Sequence, residues 1–273
     1  MTAASVHTAV YDPANARVQL NYSGFAAATT GLQVVRRVVS TGRRTLVRGA
    51  RLIDIGDPAA DTVQLFDYEF PPGVEVAYDY YQFPDTTAWL TATAAAYDVD
   101  APWLKSVLRS YLNTTVQVVG YEPFSHDMRT SVYAPVRRNL PVGAGDVRQA
   151  RTFGLTLRTT TVGERDAIDD LLAVGGVYFL QYPSGNESLP DPGYVMCTAA
   201  REDHGPGAGT RPTRYFSLSL VEVTPPAADL AAASITWTAA AELYTDWDAL
   251  VADNASWDEL VGKVAAPAEI VVT

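Results

Sequence analysis

Phe70-Pro71-Pro72-Gly73-Val74-Glu75-Val76-Ala77-Tyr78-Asp79-Tyr80-Tyr81 is the stretch that decides how the first third of this chain is read. Proline presets one turn dihedral and glycine supplies the other, so Pro71-Pro72-Gly73 is a turn. After it Val74, Val76, Tyr78 and Tyr80 fall on one side of an extended strand, with period two. Such a strand is half-buried and needs neighbours. They are found upstream: Arg17 to Tyr22 alternates with Val18, Leu20 and Tyr22 on one face, Leu32 to Val39 is β-branched, and Thr62 to Asp67 alternates again. Arg44 to Val47 follows the Ser40-Thr41-Gly42-Arg43 turn, and Ala88 to Ala96 closes the set. Short strands at regular spacing between Gly and Pro turns indicate a β-sandwich over residues 1–100.

The turn and strand Phe70 to Tyr78 resembles the turn and penultimate strand of a fibronectin type III domain, in which an apolar residue, Pro and Gly precede an alternating Tyr-containing strand. The resemblance spans about 90 residues by strand count and implies that fold for the N-terminal domain. The tryptophan that family carries near its second strand is missing here.

Length and charge bound the rest. With 273 residues the chain has room for two domains and a tail. Hydrophobic residues make up 48%, enough for a packed core. The net charge of −11 disfavours a duplex-DNA binder, which needs a basic face. The charge is unevenly placed: residues 1–56 carry net +5, 57–100 net −9, 101–225 net 0 and 226–273 net −7. Acidic surfaces that repel DNA or face a basic partner are the expectation from these blocks. The single cysteine, Cys197, excludes an intramolecular disulfide and a multi-cysteine zinc site. The longest apolar run, Leu171 to Leu180, is too short to span a bilayer, and no signal peptide is read at the start, so synthesis in a cytoplasm without membrane insertion is expected.

Asp98-Val99-Asp100-Ala101-Pro102 reads as a domain boundary, giving domains at 1–100 and 101–226 and a C-terminal segment at 227–273. In the middle domain Thr115 to Val119, Thr130 to Val136, Arg151 to Thr159, Val177 to Tyr182, Tyr194 to Thr198 and Tyr215 to Val223 read as strands. Thr161-Val162-Gly163-Glu164 has capping-box spacing ahead of a helix over Glu164 to Val174, which Gly175-Gly176 ends. Glu202 to Thr213, with its Gly and Pro, reads as a loop.

An alternating strand (Arg151 to Thr159), one capped helix and a buried strand (Gly163 to Tyr182), a long loop and a terminal strand (Tyr215 to Thr224) follow in an order that resembles distal tail proteins and tail-tube proteins of long-tailed phages. Downstream, Trp247-Asp248-Ala249-Leu250-Val251 is echoed by Trp257-Asp258-Glu259-Leu260-Val261. Thr245 and Ser256 each precede an acid by three residues, so each repeat is expected to cap a short helix. These repeats are similar to those of minor tail proteins of phages infecting actinobacteria, and 18 Arg against two Lys (Lys105 and Lys263) fits a GC-rich host. The resemblance implies a mainly β fold: a β-sandwich, a tail-tube/distal-tail-like β-sandwich flanked by one α-helix, then short C-terminal helices. It further implies a virion protein of the tail tip, assembled as a homo-oligomeric ring, a hexamer by family resemblance. Its partners would be the tail tube protein, the tape measure protein and other minor tail proteins, with DNA only passing through an acidic lumen.

Catalytic signals are weak. His7, His126 and His204 form no metal-binding pair, and His126-Asp127 has no Gly-x-Ser-x-Gly nucleophile beside it. Cys197, between Met196 and Thr198 in an apolar strand, reads as a buried inert thiol. The Gly205-Pro206-Gly207-Ala208-Gly209 loop lacks the lysine of a phosphate-binding loop. Asp166, Asp169 and Asp170 read as a solvated helix face, and Asp246, Asp248 and Asp253 lack the glycine and glutamate of a calcium loop. No catalytic, cofactor or metal residue is therefore assigned. Among Tyr78, Tyr80, Tyr81, Phe83 and Trp89, alternation leaves Tyr81 and Phe83 outside, as contacts for another subunit or for a host cell-wall glycan. Trp247 and Trp257 read as anchors against the body or a neighbour. A carbohydrate-binding host-adhesion protein is the alternative function, and a cell-wall hydrolase, resting only on the supply of carboxylates, is the third.

Overall fold

The computed structural model describes residues 6–91, 94–126, 128, 130–133, 142–145, 148–186, 192–204 and 212–226. In chain order the strands are β1 (Val6–Asp12), β2 (Arg17–Ser23), β3 (Gly31–Val38), β4 (Arg44–Leu46), β5 (Ile53–Asp54), β6 (Thr62–Asp67), β7 (Glu75–Phe83), β8 (Asp85–Thr91), β9 (Ala95–Ala96), β10 (Trp103–Ser106) and β11 (Thr114–Thr115). There follow β12 (Gln117–Tyr121), β13 (Ser125–His126), β14 (Thr130–Tyr133), β15 (Val142–Gly145), β16 (Arg151–Thr159), the helix α1 (Val162–Val174), β17 (Val177–Gln181), β18 (Gly193–His204) and β19 (Arg214–Glu222). The protein is mainly β with one α-helix among the described residues. The chain packs as two units, the first containing Met1–Thr115 and Phe179–Pro192, the second Val116–Tyr178 and Gly193–Thr224.

The first unit is built on two antiparallel sheets that share one core. One has the order β1-β2-β6; the other runs β4-β3-β7-β8, with β5 on β3 and β9 on β7. Val18, Leu20 and Tyr22 of β2 and Val63 and Leu65 of β6 meet Leu32 and Val34 of β3 and Val76, Tyr78 and Tyr80 of β7. These are the inward sets that period-two alternation selects, and burying each such side chain contributes about 1.5–3 kcal/mol. The outer side of β7 departs from the alternation, since Ala77 and Asp79 are buried too. Arg37 and Arg44 lie over Asp79 and cover it with their stems. β1, unassigned from sequence, joins through a full ladder with β2, placing Ala9 and Tyr11 against the core.

The unit does not stop at Asp98–Pro102. Val99 and Trp103 belong to its core, and β10 lies between β11 and the residues Phe179–Gln181 of β17. Ser184, a few residues on, donates from its backbone N–H to Asp98 Oδ1 at 2.9 Å. The expected 1–100 and 101–226 division therefore differs from the packing, because a segment far along the chain completes the sandwich unit.

In the second unit the order is β18-β19-β16-β12, with β13 also on β16, and β14–β15 form a two-stranded sheet of their own. Phe153, Leu155 and Leu157 of β16 stand opposite Leu220, Leu218 and Phe216 of β19, all buried. α1 packs on β16 and buries Ile168 and Leu171. The helix starts where its cap was expected: Thr161 Oγ1 accepts from Glu164 N at 3.2 Å. The Glu164 carboxylate reaches one residue further back than a standard capping box, accepting from Thr160 N at 2.7 Å. Gly175, at φ 67°, ends the helix in the left-handed region that a Cβ disfavours. β18 extends through Glu202 to His204, so part of the expected loop is strand, held by the β19 ladder. The Trp247 and Trp257 helices expected in the C-terminal segment lie outside the described residues.

Candidate assembly surface

The second unit turns apolar side chains outward along one stretch of chain. On β12, the last strand of its sheet, Val119 and Tyr121 are exposed, and Met128, Val132 and Tyr133 follow. Val132 is 72% and Tyr133 69% exposed, values far from those of core residues. Both sit on the β14–β15 hairpin, which pairs only within itself from Thr130↔Gly145 to Tyr133↔Val142. An isolated two-stranded hairpin is marginal in water, and exposed apolar side chains on it mark a surface that gains by being covered. Sequence reading missed this site. Thr130 to Val136 reads as a strand of the domain sheet, and period alone cannot tell a strand inside a sheet from one that leaves it.

The opposite kind of surface lies on the sheet face turned away from the buried Phe153, Leu155 and Leu157. There Thr156 pairs with Ser217 and Gly154 with Ser219, and both serines are exposed. Charges stand on it as well: Arg201 lies opposite Ser217, the Glu122 carboxylate lies over Gly154, and Arg158 Nε donates to Gln117 Oε1 at 2.8 Å.

The aromatic residues singled out on the first unit are only half exposed. Tyr81 stands opposite Gln33 and Phe83 opposite Gly31 in the β3–β7 ladder, and both are half-buried. Trp247 and Trp257 lie outside the described residues, as do Asp127 and the Gly205–Gly209 loop. His7 is a packing histidine, its ring 5.3 Å from that of Tyr80 and 6.4 Å from that of Tyr22. Cys197 is half-buried with its thiol pushed up, by burial. No group of three or more His, Cys, Asp and Glu side chains among the described residues is placed to hold a metal. No described helix is long and apolar enough to cross a membrane.

Some charges of the two N-terminal blocks answer one another inside the first unit. Arg36 pairs with Asp67 at 2.7 Å, Arg48 with Glu69 at 2.8 Å, and Arg37 and Arg44 with Asp79 at 2.8 and 3.0 Å. Thus arginines of the +5 block meet acids of the −9 block across the strands, and those acids are not a free surface for a basic partner. Burial opposes ionisation of Asp79, but hydrogen bonds from Arg37, Arg44 and Thr91 hold its carboxyl below the usual range. Tyr78 Oη also donates to Asp67, at 2.9 Å.

One buried group escaped the sequence reading. Lys105 on β10 is 1% exposed and reaches Ala16 O at 2.6 Å, Tyr68 O at 2.8 Å and Gln181 Oε1 at 2.5 Å. Gln181 in turn donates to Phe70 O at 2.7 Å. Burial pulls the Lys105 ammonium down to about 7, against the charges of Asp67 and Glu69. A perturbed lysine in a cleft is a candidate reactive group. Here, however, the adjoining cavity of about 20 Å³, lined by Arg48, Glu69 and Ser106, has room for about one water. Lys105 is thus placed as a tie among the turn after β1, the end of β6 and β17. Its signal in the sequence was faint: one of two lysines, in an otherwise apolar Trp103-Leu104-Lys105 run.

No known family model matches the chain, and no curated protein matches it.

Proposed function

We propose that this chain is a structural protein of the tail tip of a long-tailed phage, a minor tail protein of the distal-tail type. It forms a ring that extends the tail tube and connects it to host-recognition proteins. The observation that carries this reading is the outward apolar stretch of the second unit, on a terminal strand and a hairpin with no sheet of its own to join. Strand edges are hydrogen-bonding surfaces, and pairing them in a closed ring satisfies them without open-ended growth. The strand–helix–strand order that resembles distal tail and tail-tube proteins lies in this same unit. In such a ring the face of Thr156, Ser217 and Ser219 suits a lumen through which DNA passes, because it is polar and mixes hydroxyls and the Glu122 carboxylate with Arg158 and Arg201 instead of presenting a basic stripe. The two-sheet first unit supports the fibronectin type III resemblance and would stand outside the ring as a spacer. The tail tube, tape measure and other minor tail proteins are the partners of this reading.

Native mass spectrometry of the full chain tests it. A closed species at a fixed multiple of the 29.4 kDa chain, six copies by the resemblance, is expected. Gold-labelled antibody against the chain should mark the far end of the tail on particles that carry it. A strictly monomeric chain at every concentration, with label absent from the tail tip, would overturn the proposal.

A further inference from the structure

We propose that the C-terminal segment, residues 227–273, of one copy binds across β12 and the β14–β15 hairpin of the neighbouring copy. The inference rests on the ring reading above and adds what covers the apolar stretch. On the receiving side Val119, Tyr121, Met128, Val132 and Tyr133 are exposed in succession along the chain. The hairpin that carries two of them has no other described strand to lean on. On the donating side Trp237, Trp247 and Trp257 recur at ten-residue spacing, and the last two each lead an Asp-x-Leu-Val run. The segment therefore offers aromatic and aliphatic anchors in a regular series, which is the chemistry an exposed apolar strand surface takes up.

Charge makes the match directional. Residues 226–273 hold eight acids against Lys263, net −7, while residues 116–160 hold six Arg against Glu122, Asp127 and Asp146, net +3. An acidic segment with apolar anchors is steered toward a stretch of chain with net positive charge, and the attraction weakens with salt. Donor and receiver are different surfaces of the same chain. Their pairing between copies is heterologous, so each copy gives its segment to one neighbour and receives one from the other, and the series ends when the ring closes.

The test uses the full chain carrying Cys197→Ser, Ser131→Cys and Ser256→Cys, oxidised mildly and run on a denaturing gel without reductant. Links between chains, forming a ladder that fades as salt is raised, are expected. In a second full-chain variant, Trp247→Ala with Trp257→Ala, the amides of Thr130–Tyr133 and Val142–Gly145 should exchange hydrogen about tenfold faster than in the parent. A link closed within one chain, no link at all, or unchanged exchange in the double variant overturns the inference. If the parent still forms its ring in those cases, the ring reading stands without it. A parent that never assembles removes both.

Discussion

Replacing Lys105 with Met tests the tie that holds β10 and β17 to the sandwich. Methionine is of similar length, so packing is nearly kept while the amine and its hydrogen bonds go. In the folded chain Lys105 releases its proton near 7, whereas its ordinary value is 10.5. Between those two values the unfolded chain holds the extra proton, so the lysine's contribution to stability rises with pH. It is fully present above the unfolded value and is lost as pH falls toward 7. The slope is up to about 1.4 kcal/mol per pH unit, so the parent should gain about 2–3 kcal/mol on Lys105→Met between pH 7.5 and 9.5. Urea denaturation followed by circular dichroism, at several pH values for both proteins, measures the difference directly. A difference that stays flat with pH would refute the reasoning. It would mean that the three acceptors, one for each ammonium N–H, outweigh the cost of burying the charge and keep Lys105 protonated.

Three further outcomes follow from geometry already described. Arg36→Met leaves the Asp67 carboxylate buried with Tyr78 and without its cation, and should cost about 3–5 kcal/mol in chemical denaturation. Thr161→Ala removes the acceptor for Glu164 N and should cost about 1 kcal/mol, read as faster amide exchange in the first turn of α1. Gly73→Ala should lower the melting temperature, at a cost above about 1 kcal/mol. Gly73 sits at φ 69°, and a Cβ there would collide with Ser184, which is bonded to Asp98.

Local chemistry made most of the strands legible. Thr62 to Asp67 and Arg151 to Thr159 were bounded to the residue, since each alternates cleanly between turn signals and buries one face. The cap on α1 was legible for the same reason, being a contact between residues three apart. What escaped depends on residues far apart in the chain. Nothing near Trp103 announces that it packs into the sandwich core, and Gln181 reaches Lys105 from 76 positions away. The charge blocks were visible, but not that Arg36 would find Asp67 or that Arg48 would find Glu69. Block sums carry no information about strand order. The candidate surface was hidden differently: Val132 and Tyr133 look like core residues to any periodicity, and only their placement on a separate hairpin exposes them.

The return of Phe179–Pro192 to the first unit bears on how the polypeptide matures during synthesis. The ribosome delivers Lys105 long before Gln181, so the nascent sandwich waits with one acceptor of its buried amine still to come. Until that later strand emerges, the amine has room to keep water. Completion of the N-terminal half is thereby timed by translation of the second, and an early stop anywhere before Gln181 would release a half-finished particle.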